Sequence, residues 1–405
     1  MIPRETYLRR IRPFIGHELI KVLTGLRRSG KSVLLKLIQE ELLARGIKSD
    51  AILSFNFESL LHRPLCTADA LYNELLLKIG KRKEKIYLFF DEIQEVSEWQ
   101  RCINSCRVDF NCDIYITGSN AHLLSGELAT YLSGRYVAFE VFPFSFAEFC
   151  ELRQSTGQVS SQQAAFNDYL AVGGMPVACQ LQDKFTAQQY LRDLVSTVVF
   201  KDIVQRNAIR NTDLLERIIH YLFENIGQLF SATNVNRFLK TEEDRSVGRE
   251  TILNYVQACQ NAFLFHRVPR EDLVGKRVLT VNEKFYLADH GFREAGFNTE
   301  NSADIGQILE NLVCLELLRR GFSLSVGRLG AKEVDFVARR GDEKIYVQVA
   351  YLLATPDVIE REFSVLRQIP DNLPKHVVSA DEFDFSRDGI QHWNIRRFLT
   401  DNSWG

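Results

Sequence analysis

The feature that most constrains this chain is the segment 25–32, which reads Gly-Leu-Arg-Arg-Ser-Gly-Lys-Ser and matches the pattern GxxxxGK[ST] at every position. The segment 18–24 before it predicts a strand, and apolar residues at helical spacing after it predict a helix that ends at Gly46. A glycine-rich turn between a strand and a helix can point several backbone N–H groups at one anion. The pattern is therefore typical of a phosphate-binding loop.

The residue types in this loop predict separate roles. Lys31 should reach the β- and γ-phosphates of a nucleotide, and the Ser32 hydroxyl should face Mg²⁺. Gly25 and Gly30 allow the backbone to curl. The predicted nucleotide-binding residues are Gly25, Arg28, Ser29, Gly30, Lys31 and Ser32.

A second pattern supplies carboxylates. The apolar run 86–90 ends in Asp91-Glu92, about 60 residues after the loop, with one further strand candidate at 51–57 between them. Ligands of open α/β sheets bind at the carboxyl ends of buried parallel strands. We predict that Asp91 holds Mg²⁺ and that Glu92 acts as a general base on the attacking water.

Two further candidates complete the predicted catalytic set. The strand candidate 113–117 ends in Gly-Ser-Asn, and Asn120 is predicted to orient water or sense the γ-phosphate, with Thr117 and Ser119 as alternatives. Arg135 precedes an apolar run and is predicted to stabilise transition-state charge, in its own subunit or in that of a neighbour within a homo-oligomer.

Residues 1 to about 200 resemble an AAA+-type P-loop ATPase. The whole chain resembles a bacterial and archaeal family in which an AAA-like ATP-binding core is joined to a C-terminal domain of unknown function. The resemblance implies ATP and ADP as ligands, with Mg²⁺. Its matching segments, besides the loop and the strand ends above, are Ser133-Gly134-Arg135, Gly173-Gly174-Met175-Pro176, Glu310-Asn311 and Glu333-Val334-Asp335-Phe336.

Composition narrows the class of protein. The charged residues, 50 Lys+Arg against 52 Asp+Glu, nearly balance, which excludes nucleic-acid binding by charge alone. We expect no signal peptide and no membrane span, and we interpret the eight cysteines as reduced thiols of a cytoplasmic protein. A zinc site at Cys102, Cys106 and Cys112 is the less favoured alternative.

The 405 residues predict an α/β chain with several domains. The predicted divisions are a P-loop core at 1–150, a helical connector at 151–210, a winged-helix-like domain at 211–290 and an α/β domain at 300–405. In the winged-helix-like domain, the third helix carries basic and polar residues beside acidic neighbours, which favours protein contact or inter-domain packing over DNA binding. These basic and polar residues are Arg245, Arg249 and Asn254.

The order of elements in the C-terminal domain resembles the restriction-endonuclease-like fold. In that family a helix Glu, a strand Asp and a Glu-x-Lys motif hold Mg²⁺. Glu310 and Asp335 match the first two, but the third motif reads Gln348-Val349-Ala350. Without the third carboxylate and the lysine, we predict that this domain is catalytically inactive.

These observations lead to three hypotheses. The favoured one is an ATPase that hydrolyses ATP with Mg²⁺ to drive domain rearrangement. The first alternative is a nucleotide-gated binding module with little turnover that recruits a protein or DNA. The second alternative, a nuclease powered by ATP, requires an intact C-terminal site.

Overall fold

The computed structural model describes residues 2–124, 132–158, 161–243, 247–275, 277–296 and 305–401. The chain divides into two compact units, residues 1–142 with 261–263 and residues 143–260 with 264–405. Arg245, predicted at the start of the third middle helix, lies outside the described residues. None of the described helices is long and apolar enough to cross a bilayer.

The first unit contains a five-stranded sheet in which all neighbours are parallel, in the order β2-β3-β4-β1-β5. Its strands are β1 (Ile20–Thr24), β2 (Ile52–Asn56), β3 (Ile86–Asp91), β4 (Cys112–Thr117) and β5 (Tyr136–Glu140). Its helices are α1 (Glu5–Ile11), α2 (Lys31–Ala44), α3 (Ala68–Ile79) and α4 (Trp99–Asp109). The predicted α/β class with a P-loop parallel sheet is confirmed.

Both faces of this sheet are covered. Every residue of β1 and β3 is buried, which explains why β3 is an apolar run up to Asp91 rather than an alternating strand. In β1 the buried Lys21 forms an ion pair with Asp113 of β4. One face packs against α3 and α4, and the other packs against α1 and α2. Cys102 and Cys106 belong to the first of these two clusters as free thiols. The carboxyl ends of β1, β3 and β4 therefore meet at one edge of a rigid, fully packed sheet.

The second unit begins with helices and ends in a mixed seven-stranded sheet. Its helices are α5 (Phe146–Ser155), α6 (Gln162–Val172), α7 (Pro176–Gln180), α8 (Lys184–Thr197), which continues as a π-helix (Val198–Gln205), α9 (Thr212–Glu224), α10 (Ala232–Glu243), α11 (Arg249–Asn261), α12 (Gly291–Gly296), α13 (Ile305–Arg319), α14 (Pro356–Arg367) and α15 (Ile395–Thr400). Its strands are β6 (Phe265–Asp272), β7 (Arg277–Leu287), β8 (Ser323–Leu329), β9 (Lys332–Arg340), β10 (Glu343–Val349), β11 (Lys375–Ser379) and β12 (Gln391–Asn394).

The β6–β7 ribbon belongs to this larger sheet, whose order is β12-β11-β10-β9-β8-β6-β7. β6 pairs with β7 in antiparallel fashion and with β8 in parallel fashion. The β6–β7 register shifts between Val268 and Arg270, where Pro269 has no N–H to donate. Strands on both sides of the predicted division at 290–300 thus share one sheet. The sequence indicates the hairpin but not the parallel pairing, because that pairing joins segments far apart in the chain.

The Gly173-Gly174 segment surrounds a buried carboxylate. Gly174 N donates to Asp289 Oδ2 at 2.7 Å, and Gly291 N donates to Asp289 Oδ1 at 2.8 Å. Burial raises the pKa of Asp289 to about 7. A Cβ on Gly173 would lie 1.9 Å from Asp289 Oδ1, so the glycine is required by close packing. This motif therefore packs the turn between α6 and α7 against the start of α12 within the second unit.

Candidate functional site

The loop between β1 and α2 has the backbone of an anion site. Gly30 is the N-cap of α2 with φ +104°, and Arg28 also has positive φ at +64°. Gly25 has φ +133°, and a Cβ there would lie 2.4 Å from Val141 O. No side chain fits at that point, which gives the first glycine of the motif its physical reason. The loop ends where the N-terminus of α2 presents its free N–H groups.

Lys31 lies across this loop. Its side chain is buried, with the residue 4% exposed, and Nζ donates to Gly25 O and Leu26 O, each at 3.0 Å. Glu92 Oε1 is 3.9 Å from the same ammonium. The ammonium is thus held over the mouth of the loop, where a phosphate oxygen could exchange with the backbone carbonyls as its partner.

Asp91 and Ser32 meet beside it. The Ser32 hydroxyl is hydrogen-bonded to the Asp91 carboxylate, and Thr117 Oγ1 donates to Asp91 Oδ1 at 2.6 Å. Burial raises the pKa of Asp91, while the bonds from Thr117 and Ser32 lower it. A carboxylate and a hydroxyl are hard oxygen donors, so this pair fits the chemistry of Mg²⁺. The structure brings together the two residues predicted to face the metal.

Glu92 is held in a constrained conformation. It has φ +54°, its N–H donates to Thr117 Oγ1 at 2.8 Å, and its carboxylate accepts a hydrogen bond from Gln94 Nε2. Positive φ on a non-glycine residue is strained and is often found at functional sites. Sequence reasoning missed Gln94, because its side-chain orientation has no signal in the pattern. It gave Thr117 only as an alternative, although Thr117 contacts both acidic residues.

The remaining predicted residues differ in their placement. Ser29 is fully buried, and its hydroxyl has no hydrogen-bond partner among the described residues. Asn120 is 2% exposed just beyond the carboxyl end of β4, while the Arg28 side chain is exposed. Arg135 lies at the other edge of the sheet: its carbonyl accepts from Ile20 N at the start of β1, and its exposed side chain bonds Asn104 Oδ1 at 3.2 Å. The structure does not bring Arg135 to the phosphate loop of its own chain.

The C-terminal unit also gathers its predicted acidic residues, but around a lysine. Lys284 Nζ, on β7, lies 2.9 Å from Glu310 Oε1, 2.7 Å from Glu333 Oε1 and 3.8 Å from Asp335 Oδ1. Tyr286 OH donates to Glu310 Oε1 at 2.6 Å. Burial by itself lowers the pKa of Lys284, but the three carboxylates outweigh it and raise that pKa above its ordinary value.

Gln348 supports this arrangement instead of adding a charge. Its Oε1 accepts from Asp335 N at 3.3 Å and its Nε2 donates to Glu362 Oε2 at 2.9 Å. Burial and the Glu310 charge raise the pKa of Asp335. The Lys284 ammonium lies within 4 Å of all three carboxylates and compensates their charge. Sequence reasoning missed Lys284, because β7 precedes Glu310 and Asp335 in the chain. Only the folded sheet brings Lys284 close to these two acidic residues.

Fold and site together define the class, an AAA-type P-loop protein: residues 17–150 match the AAA domain family, and residues 163–303 match a domain of unknown function. An uncharacterized protein of Haemophilus influenzae is 38% identical over 96% of both chains. The uncharacterized protein MJ1544 of Methanocaldococcus jannaschii is 30% identical over 92% of this chain and 83% of its own length. The chain belongs to the family that includes these two proteins.

A solved structure shares the fold. The Walker-type ATPase PABY2304 of Pyrococcus abyssi superposes with a TM-score of 0.51, covering 73% of this chain and 95% of its own, at 13% identity. At that identity the similarity concerns the fold alone. It is consistent with a P-loop core followed by further domains.

Proposed function

We propose that this protein is a Mg²⁺-dependent ATPase that uses hydrolysis to rearrange its domains. The observation that carries the proposal is the hydrogen-bonded chain from Ser32 through Asp91 to Thr117, beside the Lys31 ammonium. It joins a metal-facing pair, a phosphate-facing cation and a strand-end polar residue at one edge of the sheet. P-loop nucleoside triphosphatases use such parts to bind and hydrolyse their substrate.

Each side chain has a place in the proposed reaction. Ser32 and Asp91 would hold Mg²⁺, which would neutralise charge on the β- and γ-phosphates. Lys31 would leave its two loop carbonyls for the phosphate oxygens. Glu92 would accept the proton of the attacking water, with Asn120 orienting that water. Thr117, by bonding both acidic residues, would keep the base and the metal ligand in fixed relation.

A nucleotide-gated binding module is the second candidate. The observation in its favour is the bond from Gln94 to the Glu92 carboxylate, which engages one of the two oxygens with which a general base would accept a proton. In this candidate function, ATP would be held with little turnover and the second unit would recruit a protein. The near-balance of charge in the whole chain, 50 basic against 52 acidic residues, favours protein over DNA as that partner.

The test is ATP turnover by the purified chain with Mg²⁺, with and without DNA. Lys31→Ala should abolish ATP binding, and Glu92→Gln should keep binding but lose turnover. The matched controls are Lys36→Ala and Glu40→Gln, which change exposed residues of the same helix α2. Full turnover by Glu92→Gln would overturn the assigned base. Tight binding by wild type without turnover would favour the gated module.

The other domains have proposed roles as well. Helices α9 to α11 with the β6–β7 ribbon are proposed as a winged-helix-like unit for protein contact, and Arg249 and Asn254 are exposed on α11. The C-terminal α/β region is proposed as an inactive relative of restriction endonucleases. The free cysteines of the chain support the proposal of a reducing, cytoplasmic setting.

A further inference from the structure

One buried side chain links the N-terminal segment to the phosphate loop. Arg4 is 2% exposed, and its guanidinium donates from Nη1 to Ser29 O at 3.0 Å and from Nη2 to Phe142 O at 2.8 Å. Ser29 directly precedes Gly30 in the loop. The guanidinium therefore bridges the phosphate loop and Phe142, which lies two residues after the end of β5.

Arg4 is itself fixed in place. Its backbone has φ +54° as the N-cap of α1, and its carbonyl accepts from Tyr7 N at 3.0 Å. The guanidinium carbon lies 4.6 Å from the centre of the Tyr7 ring, and Tyr7 OH accepts from Phe142 N at 3.0 Å. A left-handed non-glycine residue is disfavoured unless its surroundings hold it. Here ring stacking and two side-chain hydrogen bonds hold it.

The bond to Ser29 has a consequence on the other side of the peptide. A trans peptide is planar, so its C=O and the following N–H point in opposite directions. With Ser29 O turned toward Arg4, the N–H of Gly30 points away from Arg4. That N–H belongs to the group of amides at the start of α2 that a phosphate loop offers to its anion.

We propose that Arg4 is a positioning residue that orients the Ser29–Gly30 peptide for phosphate binding. The inference rests on the proposed nucleotide-binding function and adds a residue that the loop motif does not contain. Arg4 acts through the backbone, whereas Lys31 would contact phosphate directly. Only a planar fork can donate to two separate carbonyls in fixed directions, so arginine and lysine are not equivalent here.

The experiment measures the affinity of the full chain for ADP and for inorganic tripolyphosphate by calorimetry. Arg4→Met should weaken both by roughly tenfold, because loss of one oriented amide affects every phosphate ligand. Tyr7→Phe removes the other side-chain bond to Phe142 but leaves the loop untouched, so it should lower the melting temperature and leave both affinities unchanged. Arg9→Met, at an exposed residue of α1, is the surface control.

The outcomes separate the two proposals. A wild-type chain that binds neither ligand overturns the proposed function and this inference with it. If wild type binds the ligands and Arg4→Met binds them with equal affinity, the inference alone is overturned. It is also overturned if Tyr7→Phe and Arg4→Met lose the same affinity and the same melting temperature. If Arg4→Met does not fold, Arg4→Lys, which keeps one donor group, should still bind about threefold more weakly, and wild-type affinity there overturns the inference.

Discussion

Lys284 determines the charge balance around the acidic residues of the C-terminal region. Its ammonium neutralises part of the negative charge of three neighbouring carboxylates, which would otherwise repel one another in a largely buried place. The residue is 4% exposed, so solvent screens these interactions weakly. Glu310, Glu333 and Asp335 therefore form a buried ion-pair cluster with Lys284.

We expect Lys284→Met to lower the free energy of unfolding by about 3–5 kcal/mol, because removing one partner leaves buried carboxylates uncompensated. Urea unfolding at neutral pH measures the loss. Lys332→Met, at an exposed lysine of β9, should change stability little. A near-neutral Lys284→Met would contradict the role of the ammonium. Metal-dependent DNA cleavage by the wild type that Asp335→Ala abolishes would contradict the inactive site.

His376 makes a pH-dependent contribution of its own. Trp393 Nε1, which can only donate, lies 3.3 Å from His376 Nδ1, so that ring nitrogen must be unprotonated. Burial lowers the pKa of His376 from 6.5 to about 4. The unfolded histidine binds a proton more readily than the folded one. The contribution of His376 to stability is therefore present above about pH 6.5 and is lost as the pH falls toward 4.

From pH 7.5 to pH 5 this group should reduce the free energy of unfolding by about 2 kcal/mol. His376→Asn, whose amide oxygen can still accept from Trp393, should lose that part of the pH dependence. Urea titrations at the two pH values measure the difference, and His17→Asn, at an exposed histidine, is the control. An unchanged pH dependence in His376→Asn would refute the assignment.

At the scale of elements, the turn after α6 tests close packing against backbone strain. Gly173 and Gly157 have nearly equal φ, +74° and +73°, but a Cβ on Gly157 has open space within 4 Å. We expect Gly157→Ala to cost about 1–2 kcal/mol of stability from the left-handed backbone alone. Gly173→Ala should cost about 3 kcal/mol more, because its Cβ would displace the Asp289 carboxylate from its backbone donors and because φ +74° with ψ −163° is a conformation that only glycine adopts readily.

Thermal unfolding of the two variants measures this difference. Equal losses would mean that the turn relaxes without breaking the Asp289 bonds, contrary to the packing argument. Repeating the thermal unfolding at low pH tests the contribution of Asp289 to stability separately. Since burial raises the pKa of Asp289 from 3.8 to about 7, its contribution to stability is fully present below about pH 4 and is lost as the pH rises through 7.

The elements that sequence reasoning predicted well are those whose chemistry is local. The loop at 25–32 and the Asp91-Glu92 strand end are set by consecutive residues and by burial on both faces, and the structure brings these two segments together. Three features needed the fold. The β6–β8 pairing and the place of Lys284 depend on contacts between distant segments, and the Gln94 contact depends on a side-chain rotamer. Sequence patterns carry period and spacing but not these.

At the scale of the whole molecule, the parallel sheet decides what Arg135 can do. Its carbonyl pairs with Ile20 at the start of β1, and the phosphate loop follows Thr24 at the end of the same strand. A strand of five residues separates the two by roughly 16 Å. Arg135 therefore cannot reach a phosphate in its own loop without moving, and its predicted role in trans requires a second copy of the chain.

Complementation tests that role. In an equal mixture of Arg135→Ala and Lys31→Ala chains, an intact loop meets an intact arginine at about one quarter of randomly formed interfaces. We expect each variant alone to be inactive and the mixture to recover about a quarter of wild-type ATP turnover. Arg101→Ala mixed with Lys31→Ala is the control: Arg101 is an exposed residue of α4, so the mixture should retain about half through its intact chains. Two inactive variants that show no recovery would exclude Arg135 from a neighbour's site, and full activity of Arg135→Ala alone would exclude it from catalysis.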